Sequence, residues 1–329
     1  MRNAKISACG AYAPARVVSN AFFNELLGED VDTWLRTNME ITERRWSAPD
    51  ESSADLAEHA ARQALERAGL SADKLDLIII ATDTPEFVSP STASVVQDRL
   101  GAINAGTFDV NSACAGFVTA LDIGTKYIRS DDAYNHILII GTYAMSKYLN
   151  LEDKKTVTLF ADGAGAILLE STEESDKGYL ASELRSKGEF NEWMGIYGGG
   201  TRHPVTPESM SNQQHKLQFV HKFPKELNPI TWSDMARKLS KRIGVTPAQV
   251  DRYFITQINI NAIRETLDIL ETDQSKAHTI MHHYGYTGSA CIPMAFNEAW
   301  EKGLVKEGEL VYFIGSGGGL AFASAAFRM

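Results

Sequence analysis

The strongest constraint on the fold is an order of elements that occurs twice. In the first half, the helix-like stretch "SSADLAEHAARQALERAG" (52–69) precedes the apolar run "KLDLIIIAT" (74–82). A strand, a turn and a second helical stretch follow, then "HILIIGT" (136–142). In the second half, "KELNPITWSDMARKLSKRIG" (225–244) precedes "VDRYFITQIN" (250–259). The turn and helix "GYTGSACIPMAFNEAWEKG" (285–303) then lead into "ELVYFIGSGGGLAFASAAFRM" (309–329). A repeat of about 150 residues is too long for a solenoid unit. It predicts two copies of one α/β unit packed as layers, 1–172 and 173–329.

Local signals fill in the units. Ser52 or Ser53 caps the first helix and Gly69 stops it. In "AGFVTALDIGTKYIRS" (115–130), Phe117, Leu121, Gly124 and Ile128 fall on one helical face. "TVTLFADGAGAILLES" (156–171) reads as a hairpin around its glycines, and the terminal segment reads as another. The polar stretch 191–219 is longer than a simple connection. It is either a solvated linker or a loop shaping a substrate entrance.

Composition narrows the function. The 329 residues are 44% hydrophobic and carry a formal net charge of −10, which argues against a nucleic-acid binder. The apolar runs are far too short to span a bilayer, and the first residues lack the apolar core of a signal peptide. The three cysteines, Cys9, Cys114 and Cys291, suggest neither a disulfide framework nor a zinc site. They fit a reducing cytoplasm.

Cys9 and Cys291 read as small buried hydrophobes. Cys114, in "DVNSACAGF" (109–117), stands just before a helix start among small residues. There the unsatisfied N–H groups and the helix dipole would favour a thiolate. It is either a buried structural thiol or a nucleophile. A nucleophile that attacks a carbonyl also needs oxyanion donors. The Cys114 N–H and the glycine run "GSGGGLAF" (315–322) are candidates.

Taken together, "DVNSACAGF", "TWLRTNMEITERRW" (33–46), "ATDTPEFVSPSTASVVQDRLG" (81–101), "LFADGAGAILL" (159–169), "YTGSACIP" (286–293) and "GSGGGLAFASAAF" resemble the β-ketoacyl-acyl-carrier-protein synthase III family of the thiolase-like superfamily, over nearly the whole chain. The resemblance implies an α/β fold of two pseudo-symmetric halves in five layers, α-β-α-β-α, and a homodimer. It implies an enzyme that loads an acyl group from coenzyme A onto the cysteine, then condenses it with malonyl on a carrier protein, losing carbon dioxide. No cofactor beyond these thioester substrates, and no metal, is implied. By this resemblance Cys114 matches the nucleophile, Gly318 its partner in the oxyanion hole, and Trp34 the tryptophan that stacks on adenine.

Two catalytic positions depart from the family pattern. Where the family has a histidine in an H-Q-A-N motif, this chain has Thr256, followed by Gln257 and Asn259, which align with the motif's Gln and Asn. Where it has an asparagine in G-N-T, this chain has Tyr286 between Gly285 and Thr287. The two family residues donate hydrogen bonds to the enolate oxygen, and losing one such donor costs about 10²–10³ in rate. His282 and His283 read as surface or second-layer residues; His203, His215 and His221 lie in the variable stretch. At the coenzyme A end, the resemblance implies an arginine two residues before a G-I dipeptide; Asn38 and Glu40 stand in those places, and Arg36, Arg44 and Arg45 are candidates to compensate.

Three readings follow. The first is an acyltransferase that loads Cys114 from a coenzyme A or carrier-protein thioester and passes the acyl group on without decarboxylating malonyl. The second is a true 3-oxoacyl synthase using Thr256 and Tyr286. The third is a non-catalytic partner subunit. Trp34, Arg36, Arg45 and Asn259 are the expected substrate contacts.

Overall fold

The computed structural model describes residues 2–174 and 176–329. Two sheets organise it. The first contains β1 (Asn3–Tyr12), β2 (Leu77–Ala81), β3 (Gly106–Val110), β4 (His136–Ala144) and β5 (Asp162–Thr172), in the order β1-β5-β4-β2-β3. β2 runs parallel to β3 and β4, while β5 is antiparallel to β4 and β1. The second contains β6 (Gly178–Ser186), β7 (Arg252–Ile255), β8 (Leu310–Gly317) and β9 (Ala321–Arg328), in the order β7-β8-β9-β6.

Alternation along the strands explains the layers. In β2, Leu77, Ile79 and Ala81 face one apolar cluster, and Ile78 and Ile80 face another. In β8, Val311 and Phe313 face the first cluster, while Leu310, Tyr312 and Ile314 face a third. Strands apolar on both faces must be covered on both. Helices α1 (Ser53–Ala68) and α2 (Thr92–Leu100) cover the outer face of the first sheet. Helices α4 (Leu227–Ile243) and α5 (Ile260–Ile269) cover the outer face of the second. Between the sheets lie α3 (Gly116–Ser130) and α6 (Cys291–Glu301). The result is the five-layered α-β-α-β-α arrangement of a thiolase-like fold. Every strand of the first sheet precedes residue 173, and every strand of the second follows it.

The first helix begins and ends as its sequence signals. Ser52 closes a capping box with Asp55, and Gly69 adopts the left-handed conformation at φ 62°. Residues 156–171, however, are not a hairpin. One turn of helix (Lys154–Val157) leads into β5, a single strand paired on both sides. Its glycines serve packing rather than a turn. A Cβ on Gly165 would lie 2.7 Å from the Met294 nitrogen and from Pro293 Cβ of α6, so glycine is what lets α6 lie on the strand.

The two inner helices are entered alike. A short 3₁₀ turn, Ala113–Ala115, precedes α3, and another, Gly288–Ala290, precedes α6; the two turns touch. Each opens on a left-handed residue, Ala113 at φ 46° and Gly288 at φ 49°. Among the described residues, no helix is long and apolar enough to cross a membrane.

Candidate active site

Cys114 lies in the turn that joins β3 to α3. The left-handed Ala113 ahead of it is a strained conformation for a residue with a Cβ, typical of functional turns. The turn leaves Cys114 only 3% exposed, at a cavity of about 70 Å³ that Tyr286, Ser316, Gly317, Gly318, Ile258 and Met194 help to line. Gly318 and Tyr286, from two separate segments of the second half, are thus brought to Cys114.

The glycine run approaches Cys114 very closely. A Cβ on Gly317 would fall 2.5 Å from the Cys114 nitrogen and 2.6 Å from the Ser112 carbonyl oxygen. At Gly318 the nearest atoms would be the Met194 carbonyl oxygen at 3.5 Å and Ala113 Cβ at 3.9 Å. So Gly317, rather than Gly318, is the glycine that steric contact with the Cys114 turn demands.

Tyr286 is held on both sides of its peptide. Its N–H donates to the Leu159 carbonyl at 2.8 Å, and its carbonyl accepts from the Ala161 N–H at 2.9 Å. It is 1% exposed, and its hydroxyl acts on the Cys114 thiol, drawing it down while its own is pushed up. Thr256 is placed differently. It is fully buried and outside the cavity lining, and its Oγ1 accepts the Ser316 N–H at 2.9 Å. Its hydroxyl is occupied in joining β7 to the end of β8. Asn259 caps α5, with Oδ1 accepting the Asn261 N–H at 2.9 Å; it too lies outside the cavity lining.

The electrostatics differ from the expectation of a thiolate lowered by the helix start. Burial, and next the nearby Asp83 carboxylate, push the Cys114 thiol well above its ordinary value; the Tyr286 hydrogen bond pulls the other way but does not prevail. At rest Cys114 is a neutral thiol. Asp83, just past the end of β2, is itself pushed up to about 6 by burial. Sequence reasoning passed over Asp83, although a carboxylate directly behind "LIIIAT" is the available signal. Cys9 and Cys291 are buried, with thiols pushed up to about 12.

Among the described residues, no histidine lines the Cys114 cavity. His203 and His221 are exposed, and His221 lies edge-on to Trp193. His282 accepts the Thr42 N–H through its carbonyl, and His283 lies 3.8 Å from Glu43. The 191–219 stretch is folded rather than a bare linker. It contains a two-strand pairing of Met194–Gly195 with Gln218–Phe219 and a short helix, Pro207–Ser211. It sends Met194 into the cavity lining, where Phe223 and Leu227 join it.

The expected coenzyme A contacts separate. Trp34, on the helix Asp32–Met39, is 52% exposed and lines a cleft of about 400 Å³ with Lys154 and Lys155. Arg36 turns back to Asp32 at 2.8 Å. Arg45 donates to the Pro14 carbonyl and stands over the Tyr284 ring. Neither lines the cleft. Arg44 cannot compensate at the surface, because it is wholly buried and donates to Val18, Asn20 and Thr158. Burial lowers it to about 9. Glu40 is paired with Arg264. The cleft's cations are Lys154, 3.0 Å from Glu29, and Lys155. Sequence reasoning did not single out either lysine.

A buried cysteine under a glycine turn, between two mirrored α/β halves, defines an acyl-transferring enzyme of the thiolase-like class. Residues 108–188 match the family model for 3-oxoacyl-[acyl-carrier-protein (ACP)] synthase III, and residues 240–329 match that for its C-terminal part. The β-ketoacyl-[acyl-carrier-protein] synthase III of Clostridium perfringens (strain SM101 / Type A) is 37% identical over 332 residues, covering 100% of both chains. The chain belongs to the β-ketoacyl-acyl-carrier-protein synthase III family. The Aquifex aeolicus VF5 3-oxoacyl-[acyl-carrier-protein] synthase III structure superposes with a TM-score of 0.88 at 31% identity, covering 99% of this chain and 100% of that one. The priming β-ketosynthase of the R1128 polyketide pathway superposes with a TM-score of 0.91 at 26% identity, covering 100% and 96%.

Proposed function

We propose that this protein captures an acyl group from a coenzyme A or carrier-protein thioester on Cys114 and transfers it to an acceptor without decarboxylating malonyl. Cys114 Sγ bonds to the thioester carbonyl carbon, and the carbon–sulfur bond to the carrier breaks. The proton lost by Cys114 ends on the departing thiol, so the exchange balances. The N–H groups of Gly318 and Cys114 are the proposed oxyanion donors, and the Tyr286 hydroxyl is the proposed hydrogen-bond donor to the sulfur. One observation carries the reading: among the described residues, Tyr286 and Cys114 share a cavity lined by no histidine, while Thr256 lies outside that lining with its hydroxyl directed at the Ser316 backbone. An enolate oxygen would meet one neutral hydroxyl donor instead of the histidine and asparagine that the family resemblance assigns there.

Decarboxylative condensation is the reading that the names of the relatives support. In it, Tyr286 holds the enolate oxygen alone. Intact-mass measurement after incubation with acyl thioesters tests the shared first step. A mass gain absent from Cys114→Ala supports acyl capture; no gain on the wild type refutes it and favours a non-catalytic partner. Malonyl carrier protein then separates the two enzymatic readings. Carbon dioxide release from the loaded enzyme refutes the non-decarboxylating one.

The donor's nucleotide is proposed to stack on Trp34, with Lys155 near its phosphates; the open cleft there supports this. Arg36, Arg45 and Asn259 are less favoured contacts, given their partners within the chain. A cytoplasmic homodimer is also proposed. Phe87 and Val88, 52% and 92% exposed on the connection after β2, support the dimer, and mass in solution tests it.

A further inference from the structure

The cavity at Cys114 has a buried end and a more open one. Cys114, Tyr286 and Gly317 are buried, whereas Phe223, Leu227 and Asn228 are half-buried. The open wall is one continuous stretch that runs into α4, with Asn228 the second residue of that helix. A thioester enters from the open end. Once its carbonyl carbon reaches Cys114 Sγ, its thiol arm lies along residues 223–228.

Asn228 stands out on this wall. Its neighbours there, Phe223 and Leu227, are apolar. Among the described residues its carboxamide has no hydrogen-bond partner. Asn259, by contrast, is occupied in capping α5. A carboxamide offers both N–H donors and a carbonyl acceptor, so it pairs most fully with a group that also carries both. The thiol arms of coenzyme A and of carrier-protein phosphopantetheine hold such a group, a secondary amide two methylene carbons from the sulfur. Passing an apolar wall with that amide unpaired would remove its water with no hydrogen bond in exchange.

We propose that Asn228 is a specificity-determining residue that pairs with the amide nearest the sulfur in the thiol arm of the acyl donor. The inference rests on acyl capture by Cys114 and names the feature of the donor that this wall reads. That feature belongs to the leaving thiol and is shared by coenzyme A and carrier-protein donors.

The test follows loading of Cys114 by intact mass from two small donors. One is S-acetyl-N-acetylcysteamine. The other is the S-acetyl thioester of O-acetyl-2-mercaptoethanol, in which an ester oxygen replaces the amide N–H. The wild type is expected to load from the amide about three- to tenfold faster, the net contribution of one hydrogen bond. Asn228→Leu, close in size and lacking the carboxamide, is expected to bring the two rates together. A wild-type ratio near one, or a ratio that Asn228→Leu leaves unchanged, overturns the role of Asn228 while acyl capture stands. Acetyl-coenzyme A and acetyl-carrier protein, compared on the wild type, show which source the chain uses. Loading from the faster of the two should slow by a similar factor in Asn228→Leu, and an unslowed rate also overturns the role of Asn228. No mass gain from any of the four donors overturns both.

Discussion

Gly317→Ala tests whether the contact between the β8–β9 turn and the Cys114 turn positions the nucleophile. The new methyl would lie 2.5 Å from the Cys114 nitrogen and 2.6 Å from the Ser112 carbonyl oxygen. Both are backbone atoms, so no side chain can rotate away. Ordinary contact requires about 3.5 Å or more, so the two turns must part by about 1 Å. Overpacking of this kind costs about 1–3 kcal/mol. With about 2.1 cal/mol/K of unfolding entropy per residue, that lowers Tm by only about 1–4 °C in a chain of this length. Function is more exposed, because a 1 Å displacement of reacting groups costs about 100-fold in rate. Gly318→Ala is the internal control. Its methyl would have nothing nearer than 3.5 Å, and its N–H, the proposed oxyanion donor, survives the substitution. Acyl loading of Cys114 by intact mass, beside thermal unfolding, reads both effects. Gly317→Ala should load about 100-fold more slowly and Gly318→Ala within a few-fold of wild type. Equal loading by the two variants would refute the reasoning.

Other outcomes follow from the same geometry. Tyr286→Phe removes the hydroxyl that draws the Cys114 thiol down; alkylation of Cys114 by iodoacetamide near pH 8 should slow by up to about tenfold, the worth of one hydrogen bond, and an unchanged rate would remove Tyr286 from the site chemistry. Thr256→Val leaves the Ser316 N–H without its acceptor and should cost about 1–3 kcal/mol in urea unfolding, with Thr256→Ser restoring most of it. The Cys291 thiol ordinarily titrates near 9.0 and is pushed up to about 12 by burial, so the unfolded chain loses this proton first. The stability it contributes is complete below about pH 9 and is lost as pH rises toward 12, at up to about 1.4 kcal/mol per pH unit. Unfolding between pH 9.5 and 11 should therefore depend less steeply on pH in Cys291→Ala than in the wild type.

The layer order was legible because strands such as "LIIIA" and "LVYFI" are apolar on both faces, which forces helices onto both sides of each sheet. Residues 156–171 misled because a glycine signals a turn and a close helix contact alike. Only the partner, Pro293 and Met294, decides which it is. Arg44 was misplaced although the signal existed. "ERRW" is a strand in which Trp46 points inward, so period-two alternation sends Arg44 inward with it. Thr256 shows a firmer limit. Its residue type permits donation to a substrate, but its partner is a backbone N–H sixty residues away, which no local pattern reveals. The helix start drew notice to Cys114, yet the depth at which the turn is buried outweighs it in the resting thiol.

The twin turns Ala113–Ala115 and Gly288–Ala290 bear on that resting thiol. Each feeds the N-terminus of an inner helix, and they meet at the interface of the two halves. The partial positive ends of two helices therefore converge near one sulfur, in a place with little water to screen them. Such a field is fixed before any reaction starts. It gives little to a neutral thiol, and more to a sulfur or carbonyl oxygen as negative charge grows on it. The mirrored position in the second half is Ser289, whose hydroxyl donates to the Thr142 carbonyl at 2.9 Å. The duplicated architecture thus uses one copy of the turn as a buttress and places the other at the cavity that holds Cys114.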